Sequence, residues 1–123
     1  MSKNFDMKVT DRSMKMTVQE LGKFDKAVED GVVKIIDETA MEIHRDTVQN
    51  APVITGSLKT SYQIDNRSVK REKKAHVYTE IEYAPNVEFG IRQAGTPHFV
   101  PAIEKAKPRF EKAMDNLLKR HTR

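Results

Sequence analysis

Cysteine is missing from all 123 residues, which removes thiol catalysis, cysteine-based zinc sites and a disulfide framework together. Such a chain is compatible with reducing surroundings. Long apolar runs are missing too. No window approaches the roughly 20 apolar residues of a spanning helix, and the opening MSKNFDMKVTDR has charge without a signal-type apolar stretch. The expectation is a protein that neither targets nor crosses a membrane. Glycine is sparse, with five residues scattered singly, so no glycine-rich phosphate loop can be drawn. The four histidines, His44, His76, His98 and His121, have no metal-ligand spacing and form no HExxH motif. Serines 57, 61 and 68 lie near no nucleophile elbow. Glu38 and Glu42 share a helix face, where carboxylates are usually solvated. No catalytic residue, metal ligand or cofactor is therefore expected.

What is present is charge of both signs. Twenty-two basic and 18 acidic residues leave a formal charge of +4. The length suits one domain spanning 1–123, with residues 1–13 as an arm or edge strand. The basic residues concentrate in KREKK, Lys70 to Lys74, and in LLKRHTR near the C-terminus, read first as a solvated turn and a frayed end. A small basic nucleic-acid-binding module is the alternative reading, with Lys70, Arg71, Lys73 and Lys74 as candidate DNA-facing residues. Against it, the sequence has no helix-turn-helix spacing, zinc-finger pattern or aromatic platform. Tyr62 and Tyr78 could stack bases, but tyrosines packed beside a hairpin partner are commoner.

Periodicity organises the chain. Phe5, Met7 and Val9, then Met14, Met16 and Val18, alternate as strands do, and TDRS between them could turn a hairpin or leave the first half as a loose arm. From Leu21 the spacing becomes three and four: Phe24, Val28, Val32, Ile35, Thr39, Ile43 and Thr47 form one stripe of a helix about 25 residues long. Asp30, Lys34, Glu38, Glu42 and Asp46 make a charged row on another face. Gly31 costs such a helix about 1 kcal/mol relative to alanine, which points to close packing there. Asn50 and Pro52 end the helix. Thr55 can cap a short turn, Gly56 can supply an unusual backbone angle, and Leu58 can anchor the turn to the core.

SYQIDNRSV and AHVYTEIEY then read as two strands around KREKK, with Val77, Thr79, Ile81 and Tyr83 on one face. YAPNVEFG offers a short helix with Pro85 in its first turn and Gly90 closing it. After a loop over 91–99, Pro101 opens a last helix striped by Ala102, Ile103, Ala106, Phe110, Ala113, Met114 and Leu117. Pro108 predicts a kink or restart near Lys107.

The most distinctive residues sit at junctions: APVITGSLKTS, YAPNVEFG and PHFVPA. In this order, with a helix, a hairpin and a helix around them, they resemble the neck and tail-completion (head-tail joining) proteins of long-tailed bacteriophages. The resemblance covers about Met14 to Leu118. It is carried by Ala51, Pro52, Thr55, Gly56, Leu58 and Ser61, by Tyr83, Ala84, Val87, Glu88, Phe89 and Gly90, and by Pro97, Phe99, Pro101 and Ala102. Asn86, Ile91 and Val100 depart from it.

The resemblance implies an α+β fold, a small antiparallel sheet packed on one long helix with a C-terminal helix. It also implies a non-catalytic virion protein at the head-tail interface, assembled in the host bacterial cytoplasm. Copies would form a homo-oligomeric ring of six, from protein that can be monomeric before docking. The ring would meet the connector and the tail terminator or tail tube proteins, with genomic DNA passing its lumen unread. Loops on a rigid scaffold concentrate contacts, so Thr55, Gly56, Leu58, Lys59, Glu88, Phe89, Arg92, His98 and Phe99 are the candidate oligomer or partner contacts. Glu88 and Arg92 stand out because folding supplies no evident reason for them. Charge reversal at Glu88 is expected to spare folding.

Overall fold

A computed structural model describes residues 4–10, 12–20, 22–53, 57–90 and 94–121. The alternating apolar residues near the start form a hairpin of β1, Phe5–Thr10, and β2, Ser13–Gln19. Its pairing runs from Phe5 opposite Val18 to Thr10 opposite Ser13. The Thr10 and Ser13 hydroxyls share a hydrogen bond of 2.7 Å across the turn. The hairpin, rather than the loose arm, is thus the conformation of these residues. Met14, Met16 and Val18 turn inward and are fully buried.

Asp25 starts the long helix α1, Lys26–Asn50, by accepting the Val28 amide at 3.0 Å, as an N-cap carboxylate does. Ala51 leaves helical geometry at ψ 136 just before Pro52, so the expected stop holds. The buried stripe is wider than the sequence reading: Ile36 and Ala40 join Val28, Val32, Thr39, Ile43 and Thr47, while Ile35 lies at the margin. Leu21, Ile54, Thr55 and Gly56 lie outside the described residues.

After α1 come the short helix α2, Ser57–Ser61, and β3, Gln63–Asp65. β4 spans Lys74–Thr79. Between β3 and β4 the KREKK turn is corrected. Val69–Glu72 is a helical turn, α3, closed by Lys73 in the left-handed region at φ 56, and Lys74 already belongs to β4. Val69 explains the difference, because its burial pins the turn to the core. The expected strands are accordingly shorter. Ala75, Val77 and Thr79 face inward, whereas Ile81 and Tyr83 lie beyond the strand end. The four strands make one antiparallel sheet in the order β1-β2-β4-β3.

The helix α4, Ala84–Phe89, closes at Gly90, and α5 spans Phe99–His121. No restart occurs at Pro108: α5 is assigned as one helix through it. Pro108 is exposed while Ala106, Phe110, Met114 and Leu117 are buried, so the lost hydrogen bond faces solvent and the packed stripe continues past it. The fold is α+β, with the sheet's inner face, α1 and α5 sharing one cluster of buried side chains. Phe5 meets Phe110 edge-on at 5.3 Å.

Candidate functional site

The second and third junctions meet each other, and Tyr62, the residue just after the first, joins them. The last turn of α4 holds Glu88, whose carboxylate reaches the start of α5. It accepts the backbone amides of His98 at 3.1 Å, Phe99 at 2.9 Å and Val100 at 2.9 Å. A helix start leaves its first amides without intrahelical partners, and its dipole favours an anion there. Pro101 has no amide to satisfy. The arrangement therefore uses every donor of the first turn. Glu88 is only 1% exposed, so its charge is compensated by amides rather than water.

His98, also 1% exposed, extends the network. Its Nδ1 donates to the Thr96 carbonyl at 2.9 Å and lies 3.1 Å from Glu88 Oε1. Burial first, and the Glu88 charge second, push the Tyr62 hydroxyl well above the usual tyrosine range, so it keeps its proton. Tyr62 and His98 Nε2 share a hydrogen bond of 2.6 Å. Tyr62 follows α2 directly, and its carbonyl is held by His44 Nε2 at 2.9 Å. One chain of contacts thus ties α1, the end of α2, α4 and the start of α5. Glycine is required at 95, since a Cβ there would strike the Glu88 carbonyl oxygen. A tyrosine, histidine and glutamate in line resemble an acid–base relay, but these three are buried and lock the junctions together.

The sequence-derived contact residues divide accordingly. Leu58, Glu88, His98 and Phe99 are buried, and the premise that folding gives Glu88 no work is corrected by its capping of α5. Lys59 is half-buried and donates to the Val48 carbonyl at 3.1 Å, finishing the last turn of α1, which has no basic residue of its own. Phe89 is 53% exposed. Thr55, Gly56 and Arg92 lie outside the described residues. Sequence reasoning missed Tyr62 as a member of this network. Its apolar body with a polar tip beside a hydroxyl-rich turn was the available signal; its partner lies 36 positions away.

The basic stretch divides as well. Lys73, 14% exposed along its side chain, pairs with Glu29 at 3.3 Å, and Lys74 pairs with Glu72 at 3.7 Å. Lys70 and Arg71 remain exposed. The charged row of α1 is wet only at its start: Glu42 meets Arg109 at 3.2 Å and Asp46 meets Lys105 at 3.6 Å, both under α5. The outer face of the sheet carries an open groove of about 550 Å³ lined by Lys8, Arg12, Lys15, His76 and Tyr78 among others. Among the described residues no group of histidine, aspartate or glutamate could hold a metal ion.

A family model described as "Bacteriophage HK97-gp10, putative tail-component" matches residues 13–90. The chain belongs to the HK97-gp10-like family. The matched residues run from β2 through α4 and include the first two junctions. β1, the PHFVPA junction and α5 lie outside them. No curated protein and no solved structure matches the chain. Membership identifies this HK97-gp10-like protein as a structural component of the phage tail type, and no helix among its described residues is long and apolar enough to cross a membrane.

Proposed function

We propose that this HK97-gp10-like protein joins the phage head to the tail, as a ring of six copies seated between the connector and the tail terminator or tube. It does no covalent chemistry in this reading and works by presenting surfaces. The observation that carries it is the family match across 13–90, which spans the first two junctions that resemble neck proteins. The Tyr62–His98–Glu88 lock supports it as a rigid base for exposed neighbours. Contact then falls to exposed junction side chains, above all Phe89, with Val53 just after α1. Single exposed apolar residues are ordinary; Phe89 lies on α4, which the lock holds in place. DNA would pass the lumen against a surface of mixed charge, since each firm phosphate contact would add affinity and salt dependence. The ion pairs of Lys73 and Lys74 leave Lys70 and Arg71 as the residues of that stretch free to face DNA.

Electron microscopy of lysates from the parent phage lacking this gene tests the reading. DNA-filled heads beside complete, unattached tails are expected, with virions restored by the wild-type protein and not by a folded Phe89→Asp variant. Joined particles in the deletion would overturn the joining role. Steep salt-dependent binding of duplex or single strands would then favour the nucleic-acid module.

A further inference from the structure

β1 is an edge strand, and its pairing phase shows which backbone groups are unused. The Gln19 amide donates to the Asn4 carbonyl at 2.9 Å, so even-numbered residues of this strand exchange hydrogen bonds with β2. The N–H and C=O groups of Phe5, Met7 and Val9 therefore point away from the sheet, and no other described residue hydrogen-bonds to them. Neither proline nor glycine interrupts Phe5–Thr10. Such an edge is a template for another strand unless something guards it.

The side chains specify which strand fits. Phe5, Met7 and Val9 face the core side, and Asp6 and Lys8 face outward. An added antiparallel strand of the same sequence must match faces, which puts a residue at the centre of the pair, and centring on Met7 or Lys8 pairs more of Phe5–Thr10 than centring on Phe5, Asp6 or Val9. Centring on Asp6 sets Asp6 against Asp6, and centring on Lys8 sets Lys8 against Lys8. Centring on Met7 sets Asp6 against Lys8 twice, Phe5 against Val9 twice and Met7 against itself. In that register the outward groups of Phe5, Met7 and Val9 all meet hydrogen-bonding partners, and the Asp6–Lys8 pairs fall at the closer, non-hydrogen-bonded positions.

Two further features of the monomer favour this occupant. Lys8 lies directly opposite Lys15 within the sheet, a like-charge pair that costs stability, and neither is within ion-pair distance of a described carboxylate. Val9 is 42% exposed although it sits on the core face. A second copy would bring Asp6 beside Lys8 and Phe5 beside Val9.

We propose that β1 is a self-recognition edge through which two copies of this chain pair antiparallel about Met7, making one sheet continuous across both. The contact is two-fold and closes at two copies. It lies wholly outside residues 13–90 and does not rest on the joining role. A ring would need other surfaces, so the pair is a state of the free protein.

Sedimentation velocity on the full chain over a dilution series tests it, with far-UV circular dichroism to check each variant's fold. A concentration-dependent monomer–dimer equilibrium is expected. Asp6→Lys and Lys8→Asp should each abolish the dimer, and the double exchange should restore it. Lys8→Asp also places a carboxylate opposite Lys15, which replaces a like-charge pair within the sheet by an opposite-charge one. The absence of cysteine gives a register test. Met7→Cys should cross-link to a covalent dimer on mild oxidation, because directly opposed hydrogen-bonded residues sit about 5.5 Å apart, within disulfide reach. Val9→Cys, more exposed but opposite Phe5, should cross-link far less. A monomer at every concentration, a dimer indifferent to Asp6→Lys, or equal cross-linking at both positions would each overturn the pairing.

Discussion

Glu88 is the residue whose meaning changes most between sequence and structure. A glutamate in a short amphipathic helix reads as surface charge, and only the arrival of α5 turns it into a cap. Its backbone partners lie 10–12 positions later in the chain, beyond the reach of any local capping pattern. Glu88→Ala should cost roughly 3 kcal/mol, since it strands several buried donors at once. Glu88→Gln, which keeps one acceptor oxygen, should cost less. Urea unfolding of the two variants measures both. Charge reversal should unfold the chain, so assembly defects at this position report on folding rather than contact. His76 makes a second prediction. Burial first, and the Lys15 charge next, hold its imidazole below the ordinary value of 6.5. The unfolded chain then binds the proton more readily, so the stability this group confers is present above pH 6.5 and is lost as pH falls through the folded value. Unfolding midpoints measured across this window should decline on the acid side, and His76→Gln should flatten that part of the curve.

Among the elements, α1 and α5 show what a periodic pattern can and cannot convey. Both were legible, α1 from its threes and fours and α5 from the stripe after Pro101, because burial on one face leaves a period in the chain. Gly31 was legible as a packing position: a Cβ there would lie 2.6 Å from Leu117 Cδ1. Gly31→Ala should therefore fail to gain the usual helix preference and instead destabilise by about 1–2 kcal/mol. Thermal unfolding should show that cost shrinking in a Leu117→Ala background. The α3 turn was not legible, since its charged sequence matches an exposed loop and only the buried Val69 marks it otherwise. Nor was the continuity of α5 through Pro108, which depends on the proline facing solvent. The junction motifs were visible, yet the contact of the second with the third, and of Tyr62 with both, was not. Tyr62 and His98 meet through tertiary packing, and nothing periodic records that.

For the whole molecule, the core extends beyond the family-matched region. Residues 13–90 include the long helix and most of the sheet, but Phe99, Ala102, Ile103, Ala106, Phe110, Met114 and Leu117 of α5 belong to the same buried cluster. A fragment of residues 13–90 should therefore lack a cooperative thermal transition by circular dichroism, while the full chain shows a single one. A stable, cooperatively melting fragment would contradict this account of the core. The Phe5–Phe110 contact joins the first described strand to the last helix and has a consequence for biosynthesis. While a nascent chain still has α5 inside the ribosome, its emerged hairpin and α1 hold apolar faces without their cover, and the Phe5 ring lacks its Phe110 partner. Protection of those faces must come from chaperones or from speed, and a pause in translation before codon 99 would fall where the growing polypeptide is most prone to aggregate.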